Sequence, residues 1–373
     1  MDRSHLNPIE ILARWTTGDR PIARELELLA VWELADEARS FAFGITAENA
    51  SAVVETKSDL FFSLIEEQHN FPLNSSAFLE TLWNFWLPLA LQLLAEKQSL
   101  GRTLIQGILG VQGTGKTTLA KILKLILGKL GCSTIGISLD DLYKTYADRQ
   151  QLQKQDPRLI WRGPPGTHDL DLGVAVLDKL RCSQTGELAS VENSQSGLIK
   201  NGETTRIEIP RFDKSAWGGS GDRTTPEIVS GADIVLFEGW FAGVRPIEEA
   251  RLNAFLENAP FPIATEGDRQ FARDMNAKLS DYLPLWERLD KLIVLYPQDY
   301  RISQVWRSQA EQEAIAAGKS GMTEDEINRF VEYFWKALHP ELFIQAAIER
   351  NNWVDLAVEI KSDRTVGKIY QPR

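Results

Sequence analysis

The 373-residue chain is 43% hydrophobic and 25% charged, an ordinary balance for a soluble chain long enough for one large domain with an appendage or for two domains. Its formal net charge of −11 argues against a general nucleic-acid or anionic-membrane surface, so an anionic ligand would need a locally positive site. The two cysteines, Cys132 and Cys182, have neither metal spacing nor the density of a disulfide scaffold, which points to reduced thiols in a cytoplasmic protein.

Along the chain, the opening "MDRSHLNPIEILARW" has early acidic residues and lacks the marks of a secretory or transit peptide. No window approaches the roughly 20 apolar residues that a membrane helix needs. Residues 1–100 read as a helical region. In "FLETLWNFWLPLALQLLAEKQ", Phe78, Leu82, Phe85, Trp86, Leu89 and Leu93 recur at helical spacing. No catalytic constellation shows there, and a helical cap on the following domain is expected. From Thr103 the pattern changes to strands alternating with helices. Strands are predicted at "TLIQGILGV", "CSTIGISL", "TRIEI", "DIVLFEG", "KLIVLY" and "WVDLAVEI". Between the first two, Leu119, Ile122, Leu123, Ile126, Leu127 and Leu130 form one helical stripe that Gly131 can end. This alternation predicts an α/β fold with a mostly parallel sheet covered by helices on both faces. The polar segment 184–204 reads as a surface insertion.

The stretch "GVQGTGKTT" carries the first chemistry. Gly110, Gly115, Lys116 and Thr117 complete G-x-x-x-x-G-K-[ST] between a strand and a helix. Glycines let backbone N–H groups converge on phosphate, and the helix N-terminus adds positive potential. Gly110, Gln112, Gly113, Thr114, Gly115, Lys116, Thr117 and Thr118 are thus expected to bind a nucleoside triphosphate. Lys116 would contact the terminal phosphates and Thr117 would ligate Mg²⁺. The absence of an N-K-x-D guanine reader favours ATP.

Three further stretches bear on what receives the phosphate. In "SLDDLY", Asp140 and Asp141 fall at a strand's C-terminal end, where parallel sheets build their sites. A carboxylate there can take a proton from an attacking hydroxyl or help hold the metal; helix capping is the plainer alternative. In "IVLFEGW", Glu238 ends a buried strand and is a candidate for the metal's water shell. The loops "WRGPPGTHDLDL" and "IPRFDKSAWGGSGDR" supply Arg162, His168, Asp169, Arg211, Asp213, Lys214, Asp222 and Arg223. Cations there could clamp a carboxylate while Asp169 orients hydroxyls, although local ion pairs would use the same residues. His5, His69 and His339 have no partners at metal spacing. "GMTEDEINRFVEYFW" opens with a capping box from Thr323 to Glu326.

In this order, "GTGKTT", "DDLY", "PRFD" and "LFEG" resemble the P-loop kinase group of uridine kinase, phosphoribulokinase and pantothenate kinase. Within it, "RGPPGTHD", "RFDKSAWGGSGDR" and "FEGWFAG" are similar to plant-type D-glycerate 3-kinase, and the resemblance spans about residues 100–373. A leading helical region is also seen in cyanobacterial and plant members. The resemblance implies a P-loop kinase domain over 101–373, with a lid and following helices at 298–335. It implies transfer of the ATP γ-phosphate to the 3-hydroxyl of D-glycerate in photorespiratory salvage, with Mg²⁺. Asp140 would be the base, Glu238 and Asp140 would serve the metal with Thr117, and Arg301 and Arg307 would act from the lid with Lys116. Gln304 stands between those arginines where related lids carry more of them. ATP and D-glycerate are the expected partners, with no nucleic acid, membrane or obligate protein. The alternatives are a related kinase of a nucleoside, sugar phosphate or pantothenate, and a P-loop ATPase or chaperone without a small acceptor.

Overall fold

A computed structural model describes residues 7–66, 72, 75–183, 206–316, 318, 321–349 and 353–372. The predicted insertion at 184–204, His5 and His69 lie outside the described residues.

The leading region is helical: α1 (Pro8–Trp15), α2 (Ala23–Ala35), α3 (Glu37–Ala42), α4 (Ala50–Glu66), α5 (Ser76–Thr81) and α6 (Leu87–Leu100). Asn7 caps α1, Asp36 caps α3 and Ser75 caps α5, each side chain accepting a backbone N–H. The expected continuous helix over 78–98 is interrupted. Leu82–Trp86 form a π turn, because Pro88 has no N–H to give Asn84 and its ring would crowd that carbonyl. The wider turn still buries Trp83 and Phe85. At the centre of these helices Glu33 accepts from Lys57 Nζ (2.5 Å) and Trp83 Nε1 (2.6 Å), with the lysine fully buried. Burial pulls that ammonium down to about 8 against the opposing pull of Glu33.

The remainder alternates. It comprises β1 (Leu104–Gly110), α7 (Lys116–Lys129), β2 (Thr134–Ser138), α8 (Tyr146–Gln155), α9 (Leu170–Cys182), β3 (Ile207–Asp213), β4 (Asp222–Val229) and β5 (Ile234–Gly239). It continues through α10 (Glu249–Glu257), α11 (Glu266–Lys278), α12 (Leu283–Trp286), β6 (Lys291–Pro297), α13 (Ile302–Ala316), α14 (Glu324–Ala337), α15 (Pro340–Glu349), β7 (Leu356–Ile360) and β8 (Val366–Tyr370). Thr323 and Glu326 make the expected capping box on α14. The main sheet has the order β2-β5-β1-β6-β7-β8, parallel except for β8. The predicted strand "TRIEI" does not join it. Its residues 207–209 open β3, which pairs antiparallel with β4 in a two-stranded sheet of its own.

Period-two alternation divides the main sheet between two cores. Ile105, Leu109, Val235, Phe237, Leu292 and Val294 face one side, with α9, α11 and α15. Leu104, Ile108, Ile234, Leu236, Ile293 and Leu295 face the other. That second core is shared with the buried stripe of α7 and with Trp15, Phe61, Trp83 and Leu89 of the leading helices. Each such apolar side chain contributes about 1.5–3 kcal/mol when fully buried. The described helices α1–α6 therefore roof the helix that follows the phosphate loop.

Candidate active site

β1 runs to Gly110, the chain loops through Val111–Gly115, and α7 starts at Lys116. Gly113 (φ +83°) and Gly115 (φ +84°) hold left-handed conformations that L side chains resist. A Cβ on Gly110 would lie 2.6 Å from Thr114 Oγ1, and one on Gly113 only 2.4 Å from Trp306 Cβ in α13. The Thr114 hydroxyl and Lys116 Nζ both donate to Val111 O, at 2.8 and 3.1 Å. The loop is thus preformed. A Gly113→Ala variant is expected to lose about 1–3 kcal/mol of stability and to bind ATP more weakly, checked by thermal melting and nucleotide titration.

The register of the parallel strands gathers the acidic residues. One residue before the end of β5, Glu238 stands level with Ser138 of β2 and Ile108 of β1. Thr117 Oγ1 donates to Glu238 Oε1 at 3.1 Å, joining the first turn of α7 to the strand end. After β2 a 3₁₀ turn, Leu139–Leu142, carries both aspartates, and Ser138 caps it. Asp141 looks back into the fold, accepting from Ser138 N (3.0 Å) and Arg211 Nη1 (2.9 Å). Burial nevertheless raises its carboxyl above the usual range. Asp140 looks the other way. Its Oδ1 accepts from Tyr143 OH (2.8 Å) and its Oδ2 from Lys214 Nζ (2.6 Å). Burial would push this carboxyl up, but Lys214 and Tyr143 outweigh it and hold it below the ordinary aspartate range. Half-buried Lys116 is lowered by burial, while Glu238 and Asp140 pull it back up.

Around this centre the two glycine-rich loops are locked by hydrogen bonds. Asp169 N donates to Leu142 O (2.7 Å) and Lys144 N to Thr167 O (3.0 Å). The buried His168 ring stacks on Tyr143 at 4.7 Å, and its Nδ1 lies 2.7 Å from Tyr282 OH. Burial drives its pKa to about 3, so the imidazole is neutral, and its buried Nε2 has no partner among the described residues. Asp169 caps α9 through Leu172 N (3.1 Å) and accepts from Arg223 (2.7 Å). Arg162 donates to Gly219 O (2.7 Å) with its guanidinium over the rings of Tyr143 and Phe212.

The other predicted residues sit further out or are engaged elsewhere. Arg211 bridges Asp141, Glu227 (2.5 Å) and Gly136 O. Asp213 accepts from Ser215 N and Oγ and shapes the β3–β4 loop. Arg301 pairs with Asp299 at 3.2 Å, and Arg307 pairs with Glu311 at 2.6 Å over the Phe330 ring. Both arginines are thus paired with acidic residues two or four positions away in their own segment. Gln112 and Trp240 line a small apolar cavity behind the phosphate loop with Phe334 and Trp335. His339 is buried, away from the centre, against Phe255 and Tyr300.

Three residues not singled out from the sequence complete the site: Tyr143, Arg149 and Tyr282. Arg149 donates to Lys144 O (3.1 Å), Ser220 O (2.7 Å) and Gly221 O, tying the β3–β4 loop to the turn after β2. Tyr143, three residues beyond Asp140, carried a signal in its spacing; Arg149 and Tyr282 carried none, because their partners lie far away in sequence.

Among the described residues, no three His, Cys, Asp or Glu side chains gather as a metal cage, and no helix is long and apolar enough to cross a membrane. A hydroxyl beside a carboxylate at a helix N-terminus does fit a hard cation that completes its shell with phosphate oxygens and water.

No family model matches the chain. It is 31% identical to the chloroplastic D-glycerate 3-kinase of Arabidopsis thaliana over 70% of this chain and 53% of that protein, so it spans about half of that relative's length. It is also 31% identical to the uncharacterized kinase mug58 of Schizosaccharomyces pombe, over 63% of this chain and 79% of that one. The structure of D-glycerate 3-kinase from Cryptococcus neoformans matches with a TM-score of 0.64 and 27% identity, over 76% of this chain and 96% of that one. With the phosphate loop, the strand-end carboxylates and these likenesses together, the chain belongs to the family of P-loop kinases that includes D-glycerate 3-kinase.

Proposed function

We propose that the protein is a cytoplasmic ATP-dependent kinase that phosphorylates D-glycerate at its 3-hydroxyl, yielding 3-phospho-D-glycerate and ADP for glycerate salvage in photorespiration. The observation that carries this reading is the ion pair of Asp140 with Lys214, set beside the phosphate-loop lysine. A carboxylate positioned to take a proton, next to a cation positioned to take a carboxylate, suits a small hydroxy acid better than a nucleoside. The relatives named D-glycerate 3-kinase support the same acceptor.

The loop amides and Lys116 hold the triphosphate, and Thr117 with Glu238 would hold Mg²⁺. That ion would neutralise charge on the transferring phosphoryl group. Asp140, rather than Asp141, acts as base, because Asp141 is turned inward onto Ser138 N and Arg211 while Asp140 stands beside the phosphate-loop Lys116. As the 3-hydroxyl oxygen bonds to the γ-phosphorus, its proton passes to Asp140 and the bond to the ADP oxygen breaks. Arg162 and Arg223 hold the loops that frame the acceptor. Arg301 and Arg307 would reach the phosphates on lid closure, after leaving Asp299 and Glu311.

ADP release is therefore expected to rise sharply when D-glycerate is added, with uridine and pantothenate inactive and 3-phosphoglycerate as product. Turnover of uridine or pantothenate with none of glycerate would refute the acceptor.

A further inference from the structure

Lys214 does more at rest than wait for a ligand. Both oxygens of Asp140 already hold a donor, Tyr143 OH on Oδ1 and Lys214 Nζ on Oδ2. The two donors differ in how easily they can leave. Tyr143 is buried and clamped against His168 and Phe212. The Lys214 side chain is 63% exposed, and its recorded ion pair is with Asp140 alone.

The loop that presents Lys214 is fixed. Arg149 holds Ser220 O and Gly221 O, Arg162 holds Gly219 O, and Asp213 holds Ser215. Trp217 Nε1 donates to Asp222 Oδ2 at 2.9 Å while its ring stacks on Tyr146 at 5.0 Å. The backbone therefore stays in place while a flexible, solvated side chain swings from it. The ammonium is the exposed member of the pair, so a competing carboxylate can draw it away, leaving the half-buried Asp140 carboxylate its hydrogen bond from Tyr143.

We infer that Lys214 occludes the proton-accepting oxygen of Asp140 until an acceptor's carboxylate draws the ammonium away, making transfer conditional on an anionic alcohol. The inference rests on the kinase reading and adds a gate to it. Water or a neutral alcohol finds Oδ2 occupied and leaves Lys214 where it is. An anionic acceptor binds Lys214 and frees Oδ2 in one step. Discrimination against neutral alcohols then falls on kcat as well as KM, and ATP is protected from hydrolysis to ADP and inorganic phosphate while the site lacks an acceptor.

Two arms test this. D-Lactate has the carboxylate of D-glycerate but no 3-hydroxyl. Added to the unaltered protein, it is expected to speed ATP hydrolysis by water. In Lys214→Gln, acceptor-free hydrolysis and phosphorylation of glycerol are expected to rise about 10- to 100-fold, up to the low end of what a positioned base contributes. The KM for D-glycerate should rise in the same variant, and Lys214→Arg should restore low hydrolysis. The gate is overturned if D-lactate leaves hydrolysis unchanged. It is equally overturned if Lys214→Gln raises only the glycerate KM while still binding ATP. Should Lys214→Gln fail to fold, the D-lactate arm decides alone. Neither hydrolysis readout uses glycerate, so a wrong acceptor and a wrong gate give different results: glycerate inert with lactate stimulating sinks only the former.

Discussion

Replacing Asp140 with Asn is expected to lower the rate of phosphoryl transfer by about 10²–10⁴-fold, the usual contribution of a positioned base, while ATP affinity stays within a few-fold of the unaltered protein. An asparagine keeps the side chain's shape and can still accept from Tyr143 OH, whose bond to Oδ1 is 2.8 Å. It loses the ion pair to Lys214 and, with it, the capacity to take a proton. The measurement is kcat and nucleotide affinity side by side. Loss of ATP binding in a folded variant would move Asp140 from base to metal ligand, since it stands close enough to Lys116 to perturb that ammonium.

The second large effect belongs to Lys116→Ala. The ammonium lies at the first residue of α7, at the mouth of the glycine loop, among Glu238, Asp140 and Lys214. Removing it takes away the one side-chain cation that the loop itself supplies to the terminal phosphates. Transfer should fall about 10²–10³-fold, as when one preorganised charge-stabilising donor is lost, and ATP should bind weakly. The fold should survive, because the side chain makes one recorded hydrogen bond, to Val111 O, worth about 1 kcal/mol net. Nucleotide titration, an assay of ADP release and a melting curve check the three parts. Unchanged kinase activity would contradict the role of the loop.

Much of the fold was legible because its signals are local. The glycine loop, the apolar strand before it and the stripe on α7 each lie within a few residues, as do the Asp140 turn and the Glu238 strand end. Other features depend on distant partners. Pro88 perturbs a helix whose hydrophobic spacing looked uninterrupted, and the spacing does not register a missing N–H. β8 is an antiparallel edge strand whose "VGKIY" breaks its apolar residues with a glycine and a lysine, so it carries little strand signal. "TRIEI" reads as a strand and is one, but the sheet that receives it depends on β4, whose polar "DRTTPEIV" carries little strand signal. At the site, charge clusters were visible but their pairings were not. Arg211 meets Asp141 seventy positions away, and Arg223 meets Asp169 across fifty-four.

The shared core beneath α7 has a consequence for how the molecule can be divided. Leu119, Ile122, Leu123, Ile126 and Leu127 rest in the same apolar cluster as Trp15, Phe61 and Trp83. Severing the chain near Gly101 would leave that side of the catalytic half bare to water, with a large sticky patch where the first hundred residues had been. The opening segment is therefore a foundation for the nucleotide cradle, and looseness around the Glu33–Lys57 pair would be felt at Gly115 and Lys116 through α7, which packs against the helix that carries Lys57.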